Sequence, residues 1–74
     1  MNIEFWTKTN CPQCTATDRI LKTRNVTITV RSFDTEPGLV DEAKARGFAS
    51  APVIITDDDA WSGFRPDKLA GLPK

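Results

Sequence analysis

The chain has 74 residues, 39% of them hydrophobic, and its ten acidic residues balance ten basic ones. This length predicts one domain over residues 1–74, and the neutral balance excludes the charge patterns typical of nucleic-acid-binding and membrane-surface proteins. No apolar run approaches the ~20 residues that span a bilayer, and the N-terminus lacks a secretory signal pattern, so we expect a cytoplasmic location.

The first predicted elements are a strand and a helix. Aromatic and β-branched residues predict a strand over residues 3–7. Pro12 suits the first turn of the following helix, because its missing N–H is no loss there. This helix is predicted to run to about Arg24, with Asp18 and Lys22 paired on its exposed side.

A second strand and a second helix follow. Polar and apolar residues alternate over residues 27–33, which predicts the strand. Asp34 or Thr35 is predicted to cap the second helix, and Gly47 to end it in a left-handed conformation. Two sets of apolar residues are predicted to share a face: Ile28 and Val30 on the strand, and Leu39, Val40 and Ala43 on the helix.

The last part of the chain predicts a hairpin and a short helix. Residues 52–56 form a third strand, residues 57–59 a solvated turn, and residues 60–61 a short fourth strand. Pro66 opens a helix that ends at Gly71. The resulting order is β-α-β-α-β-β-α, an α/β chain whose last two strands are antiparallel because a tight turn joins them.

Cys11-Pro12-Gln13-Cys14 lies between the first strand and its helix. The amides and the positive dipole end of a helix N-terminus stabilise a thiolate, which is the attacking species in disulfide exchange. We expect Cys11 to be exposed and to attack a substrate disulfide. Cys14, inside the first turn, is expected to be partly shielded and to resolve the mixed disulfide.

A zinc site and a structural disulfide are two other uses of this cysteine pair. Zinc requires four ligands, and the chain has no other cysteine and no histidine, so only a dimer that shares two pairs closes such a site. A structural disulfide closes a very small loop here and stabilises the fold little. Redox chemistry is therefore favoured, with no metal in the single chain.

Other candidate residues have two interpretations each. Lys8 either adds positive charge near the Cys11 thiolate or is a solvated loop lysine. Trp61 is either a core residue or an exposed docking residue. Arg65 and Asp67 are placed to pair or to hydrogen-bond their own loop.

The chain resembles the NrdH-redoxins, glutaredoxin-like proteins of the thioredoxin superfamily, over essentially its whole length. The resemblance rests on Cys11-Pro12-Gln13-Cys14, on Ser50-Ala51-Pro52-Val53, and above all on Trp61-Ser62-Gly63-Phe64-Arg65-Pro66-Asp67. It implies a thioredoxin-like fold with a four-stranded mixed sheet and three helices. It also implies that Pro52 is in the cis form and faces the two cysteines.

The resemblance further implies an electron carrier without a cofactor of its own. Such proteins take electrons from NADPH through thioredoxin reductase and pass them to the large subunit of a class Ib ribonucleotide reductase. Lys8, Pro12, Gln13, Ala51 and Pro52 would then shape the site. The docking surface and its loop network would comprise Trp61, Ser62, Gly63, Phe64, Arg65 and Asp67.

Glutathione is expected to bind weakly or not at all. Glutaredoxins hold the amine of glutathione with an acidic pair in the turn after the last strand, and Ser62-Gly63-Phe64-Arg65 occupies that turn here. A surface with Trp61, Ala51 and Pro52 beside Cys11 would instead suit docking to a protein. The alternatives are a glutathione-dependent glutaredoxin and, less favoured, a metal or iron–sulfur module in a dimer.

Overall fold

The computed structural model describes residues 1–74. Its strands are β1 (Asn2–Thr7), β2 (Thr27–Ser32), β3 (Val53–Ile55) and β4 (Ala60–Ser62), and its helices are α1 (Pro12–Leu21), α2 (Leu39–Ala45) and α3 (Pro66–Leu69). The strands form one sheet in the order β2-β1-β3-β4. β1 is parallel to β2 and antiparallel to β3, and β3 is antiparallel to β4. The predicted thioredoxin-like fold with a four-stranded mixed sheet and three helices is confirmed.

The sheet has a core on each face, because side chains alternate along its central strands β1 and β3. On one face, Phe5 and Ile54 pack with the cysteines and with residues of α1 and α3. On the other face, Trp6 and Val53 pack with residues of α2. Trp6 also meets the rings of Phe33 and Phe48 edge-on. The fold thus has two small cores, and both cysteines belong to the first.

Helix α1 ends at Leu21, before the predicted end at Arg24. The main-chain N–H groups of Thr23 and Arg24 donate to the carbonyls three residues earlier, so the chain leaves the helix through a tight turn. The Thr23 hydroxyl also donates to the Ile20 carbonyl at 2.7 Å. The pattern predicts the helix but not this turn, because the turn keeps helix-like spacing.

Helix α2 begins at Leu39 with Gly38 as its N-cap, so the predicted cap at Asp34 or Thr35 is wrong. Both residues lie in the turns that precede the helix. Asp34 Oδ2 accepts a hydrogen bond of 2.7 Å from the main-chain N–H of Thr9. The carboxylate that the sequence assigns to a helix cap therefore links two loops instead.

Two apolar residues predicted to share a buried face are exposed: Val30 at 60% and Val40 at 43%. Val30 lies on the edge strand β2 and lines an open depression beside the cysteines. On α2, Leu39 and Ala43 are buried one turn apart, and Val40 lies to the side of that line. The predicted left-handed Gly47 is confirmed, with φ of 83°.

Arg31 on β2 attaches α2 to the sheet. Its guanidinium lies 2.9 Å from a Glu36 oxygen and 3.2 Å from a Glu42 oxygen, and it stacks over the Trp6 ring at 5.0 Å from the centroid. These hydrogen bonds raise the pKa of Arg31. Glu42 also pairs with Arg46, one turn further along α2, at 3.3 Å.

Candidate active site

The cysteines lie where β1 ends and α1 begins. Asn10 turns the chain between the two elements in the left-handed region, with φ of 55°, which asparagine adopts more readily than most residues. Cys11 is the N-cap of α1 with extended backbone, and Pro12 occupies the first helical turn as predicted. The local sequence thus places one thiol directly at the helix N-terminus.

Cys11 and Cys14 face each other across the first helical turn. The main-chain N–H of Cys14 donates to Cys11 Sγ at 3.2 Å, which is the hydrogen bond that a thiolate at this position requires. Both cysteines are free thiols. The geometry therefore suits a nucleophile at Cys11 and a second thiol within reach of it.

Cys11 is more covered than predicted. Its exposed fraction is only 9%, and that of Cys14 is 3%. Both side chains belong to the apolar cluster that includes Trp61 and residues of α3, which folds against α1. Only a small part of Cys11 is therefore accessible to a substrate disulfide, from the open depression that both cysteines line.

Burial raises the pKa of the Cys14 thiol above its ordinary value, and the hydrogen bond with Cys11 adds to this. The Thr7 hydroxyl and the Lys8 main chain act in the opposite direction. Because the raising causes prevail, Cys14 keeps its proton over a wider pH range than a free cysteine. Cys14 therefore remains a protonated thiol while it is buried in the folded protein.

The segment before β3 lies beside the cysteines. The Ala51–Pro52 peptide bond is cis, the form that the resemblance implies. Pro52 is buried, and its carbonyl accepts a 2.8 Å hydrogen bond from the N–H of Gly63. A Cβ atom added to Gly63 would lie 3.9 Å from the Gln13 side-chain oxygen. Gln13, Pro52 and Gly63, which belong to three separate motifs, therefore lie close together.

The prediction that Trp61 and Pro52 form an exposed docking surface with Ala51 is wrong for the first two residues. Trp61 is only 6% exposed and packs in the same cluster as the cysteines, and Pro52 is also buried. Residues of α3 lie against the Trp61 ring: Leu69 belongs to the same cluster, and Lys68 Nζ lies 5.5 Å from the ring centroid. Trp61 is therefore a core residue that shapes the site from beneath.

The exposed surface beside the cysteines is formed by other predicted residues. Pro12, Gln13 and Phe64 are exposed, and Ala51, Ser62 and Gly63 are partly exposed. Arg65 and Asp67 form the predicted pair, at 2.9 Å, and the hydrogen bond from Arg65 lowers the pKa of the Asp67 carboxyl. The Arg65–Asp67 pair thus joins the loop after β4 to the first turn of α3.

Lys8 is exposed and has no ion-pair partner in the structure. It lines the open depression that also contains Cys11 and Cys14. Both interpretations of Lys8 therefore hold: its side chain is solvated, and it adds positive charge beside the cysteines. Asp59, from the predicted solvated turn, pairs with Lys68 at 2.8 Å.

Sequence reasoning missed two residues that support the site. The Thr7 hydroxyl acts on the Cys14 thiol, and the Asp34 carboxylate holds the loop that leads to Cys11 through Thr9. A threonine at the end of a strand before the first cysteine is a weak signal for the former. No local signal reveals the latter, because Thr9 and Asp34 are 25 residues apart.

Comparisons with known proteins agree with this geometry. The glutaredoxin family model matches residues 3–61. The chain is 39% identical to the glutaredoxin-like protein NrdH of Salmonella typhimurium, with 97% of this chain and 89% of that protein covered. It is 37% identical to the protein of the same name from Lactococcus lactis, with 95% and 97% covered.

A solved structure of the NrdH-redoxin of Escherichia coli superposes with a TM-score of 0.91 at 36% identity, over 100% of this chain and 97% of that one. That structure was presented as the basis for the thioredoxin-like activity profile of a glutaredoxin-like protein. No helix of the present chain has the length and apolar character needed to cross a membrane.

Proposed function

The chain belongs to the glutaredoxin family as an NrdH-redoxin, and from this premise we propose that it carries electrons from thioredoxin reductase to a class Ib ribonucleotide reductase. The thiol-disulfide carrier chemistry is that of its relatives. NADPH is the electron source in this route. Such a role requires a cytoplasmic location, where thiols are kept reduced.

The proposed reaction proceeds in two exchanges. The Cys11 thiolate, stabilised by the N–H of Cys14, attacks one sulfur of the substrate disulfide, and the other sulfur leaves as a thiolate that takes up a proton. Cys14 then loses its proton and attacks Cys11 Sγ. The second substrate sulfur leaves as a thiol, and the protein ends with a Cys11–Cys14 disulfide. Thioredoxin reductase returns two electrons to that disulfide by the reverse exchange.

The choice of electron donor rests on the loop after β4, whose Arg65 and Asp67 are paired. The only carboxylate among residues 62–67 belongs to Asp67, and Arg65 already holds it in a two-point hydrogen bond. Gly63 is fixed to Pro52 by its main-chain N–H. This loop therefore offers no free acidic pair to the amine of glutathione, which favours a protein as the electron donor.

The likeness to the E. coli NrdH-redoxin supports the same choice, because that protein is described as glutaredoxin-like with a thioredoxin-like activity profile. The main chain next to Pro52 supports a protein acceptor. The N–H and C=O groups of residues 49–51 make no main-chain hydrogen bond within the chain. They can pair with an extended acceptor segment in the manner of an added strand.

Turnover of a class Ib ribonucleotide reductase tests the proposal. We expect catalytic amounts of the protein to sustain deoxyribonucleotide formation with NADPH and thioredoxin reductase, and Cys11→Ser to abolish it. If deoxyribonucleotides form equally fast without the protein, or only when glutathione and glutathione reductase are supplied, the proposed role is wrong.

A further inference from the structure

A second depression adjoins the site on the α2 side of the sheet. It has a volume of about 570 Å³, within the ~300–1,000 Å³ range of clefts that enclose ligands. Its lining runs from the β1–α1 loop across α2 to the segment before Pro52 and includes Lys8, Phe33, Val40, Lys44, Phe48 and Ala51. We call it the α2 groove.

The α2 groove combines an apolar lining with positive charge. Six of its ten lining residues are hydrophobic, and no acidic residue lines it. Lys8 and Lys44 are its only charged residues, and neither has an ion-pair partner anywhere in the chain. By contrast, Arg31 and Arg46 nearby are bound to glutamates. The groove therefore carries two uncompensated positive charges on a protein whose net charge is zero.

The groove adjoins the depression that contains the reacting sulfur. Lys8 lines both this groove and the depression that contains Cys11, and Ala51 packs against the cluster of the cysteines. The unpaired main-chain groups of residues 49–51 form one wall. An extended segment that pairs with this wall would present its disulfide to Cys11 and its neighbouring side chains to the groove.

We infer that the α2 groove selects the acceptor. The selected acceptor is an extended segment in which an apolar side chain and acidic residues lie next to the disulfide. The apolar side chain packs against Phe33, Val40 and Phe48, and the carboxylates pair with Lys8 and Lys44. This inference rests on the proposed function and specifies the sequence of its acceptor. Because the molecule has no net charge, any preference among acceptors by charge must arise locally.

Single-turnover reduction of synthetic disulfide peptides tests the inference. Three peptides share one Cys-x-x-Cys ring; the first carries a flanking leucine with two glutamates, the second leucine with two lysines, and the third serine with two glutamates. The reduced protein is mixed with each, quenched by alkylation, and the products are counted by mass spectrometry. We expect the leucine–glutamate peptide to react about fivefold faster than the leucine–lysine peptide, and also faster than the serine peptide.

The ratio of the glutamate to the lysine peptide is the readout, because it cancels effects on the thiols themselves. Lys44→Glu should bring the ratio to about one or below, and 0.5 M salt should reduce it in the unmodified protein. Lys74→Glu makes the same charge change outside the groove and should leave the ratio unchanged. Circular dichroism of both variants verifies that they are folded.

Several results would overturn the inference. If the ratio is near one in the unmodified protein, or if Lys44→Glu leaves it unchanged, the acceptor does not bind in the groove. If Lys44→Glu changes only the KM for thioredoxin reductase, the groove binds the electron donor instead; if it changes only the sedimentation of the protein, a second copy occupies the groove. Failure to reduce any peptide or 2-hydroxyethyl disulfide would instead contradict the proposed function itself.

Discussion

Cys11 and Cys14 differ in chemistry although only two residues separate them. Cys11 caps the helix and accepts a hydrogen bond from the N–H of Cys14, whereas Cys14 is more deeply buried and burial raises its pKa. A helix N-terminus and a buried helix face impose these two environments on any pair of cysteines at this spacing. That difference supports the proposed order of events, attack by Cys11 and resolution by Cys14.

Substitution of either cysteine should separate the two steps. Cys11→Ser should abolish disulfide reduction, since the attacking sulfur is lost. Cys14→Ser should leave Cys11 able to attack but unable to be released, so a mixed disulfide with the acceptor should accumulate. A non-reducing gel detects that adduct, and the double variant serves as the control. An adduct with Cys11→Ser in place of Cys14→Ser would reverse the assignment.

The raised pKa of Cys14 predicts a pH dependence that can be measured alone. In Cys11→Ser, the rate of Cys14 alkylation by iodoacetamide should rise with a midpoint above the ordinary value of 9.0, because burial, the largest cause, remains. The same variant unfolded in guanidinium gives the reference midpoint. A raised thiol pKa stabilises the fold below the unfolded value, and this stabilisation is lost as the pH rises through the folded value. A midpoint below that of the unfolded chain would contradict the account.

At the scale of elements, two loops place the cysteines. The loop between β1 and α1 is held by Asp34, which accepts from the N–H of Thr9. The loop between β4 and α3 is held by the Gly63–Pro52 hydrogen bond and the Arg65–Asp67 pair. Trp61 lies beneath the second loop and fills the core. These neighbours, and not the cysteine motif alone, therefore determine how the cysteines are covered.

Trp61→Ala should destabilise the fold and not merely weaken docking. Truncation of a buried tryptophan costs about 3–5 kcal/mol, a large part of the stability expected for a domain of this size. Trp61→Phe keeps most of the apolar volume and should cost less. Urea unfolding followed by circular dichroism measures both. If Trp61→Ala unfolds at the same urea concentration as the unmodified protein, its assignment to the core is wrong.

Asp34→Ala should loosen the loop before Cys11. Loss of one hydrogen bond of this kind corresponds to roughly 1 kcal/mol, so we expect kcat/KM for disulfide reduction to fall about threefold to fivefold. Hydrogen exchange should show faster exchange of the Thr9 amide. Asp41→Ala, on the exposed side of α2, is the matched control. Unchanged exchange at Thr9 in Asp34→Ala would show that the carboxylate does not hold the loop.

At the scale of the whole molecule, the periodicity of the sequence predicts every strand and helix, because each carries local signals such as Pro12, Pro66 and Gly47. Contacts between distant segments are not predictable in this way. The burial of Trp61 depends on its packing with Leu69 and Lys68 of α3, and the Asp34–Thr9 hydrogen bond joins residues 25 positions apart. The cysteine pair is visible in the sequence, but its cover is a property of the assembled fold.

The central claim, a glutaredoxin-like chain with the electron route of a thioredoxin, is tested most directly by NADPH oxidation with a protein disulfide as acceptor. One arm supplies thioredoxin reductase, and the other supplies glutathione with glutathione reductase. Because the loop after β4 offers glutathione no free acidic pair, we predict turnover in the first arm and little in the second. Turnover only in the glutathione arm would contradict the account.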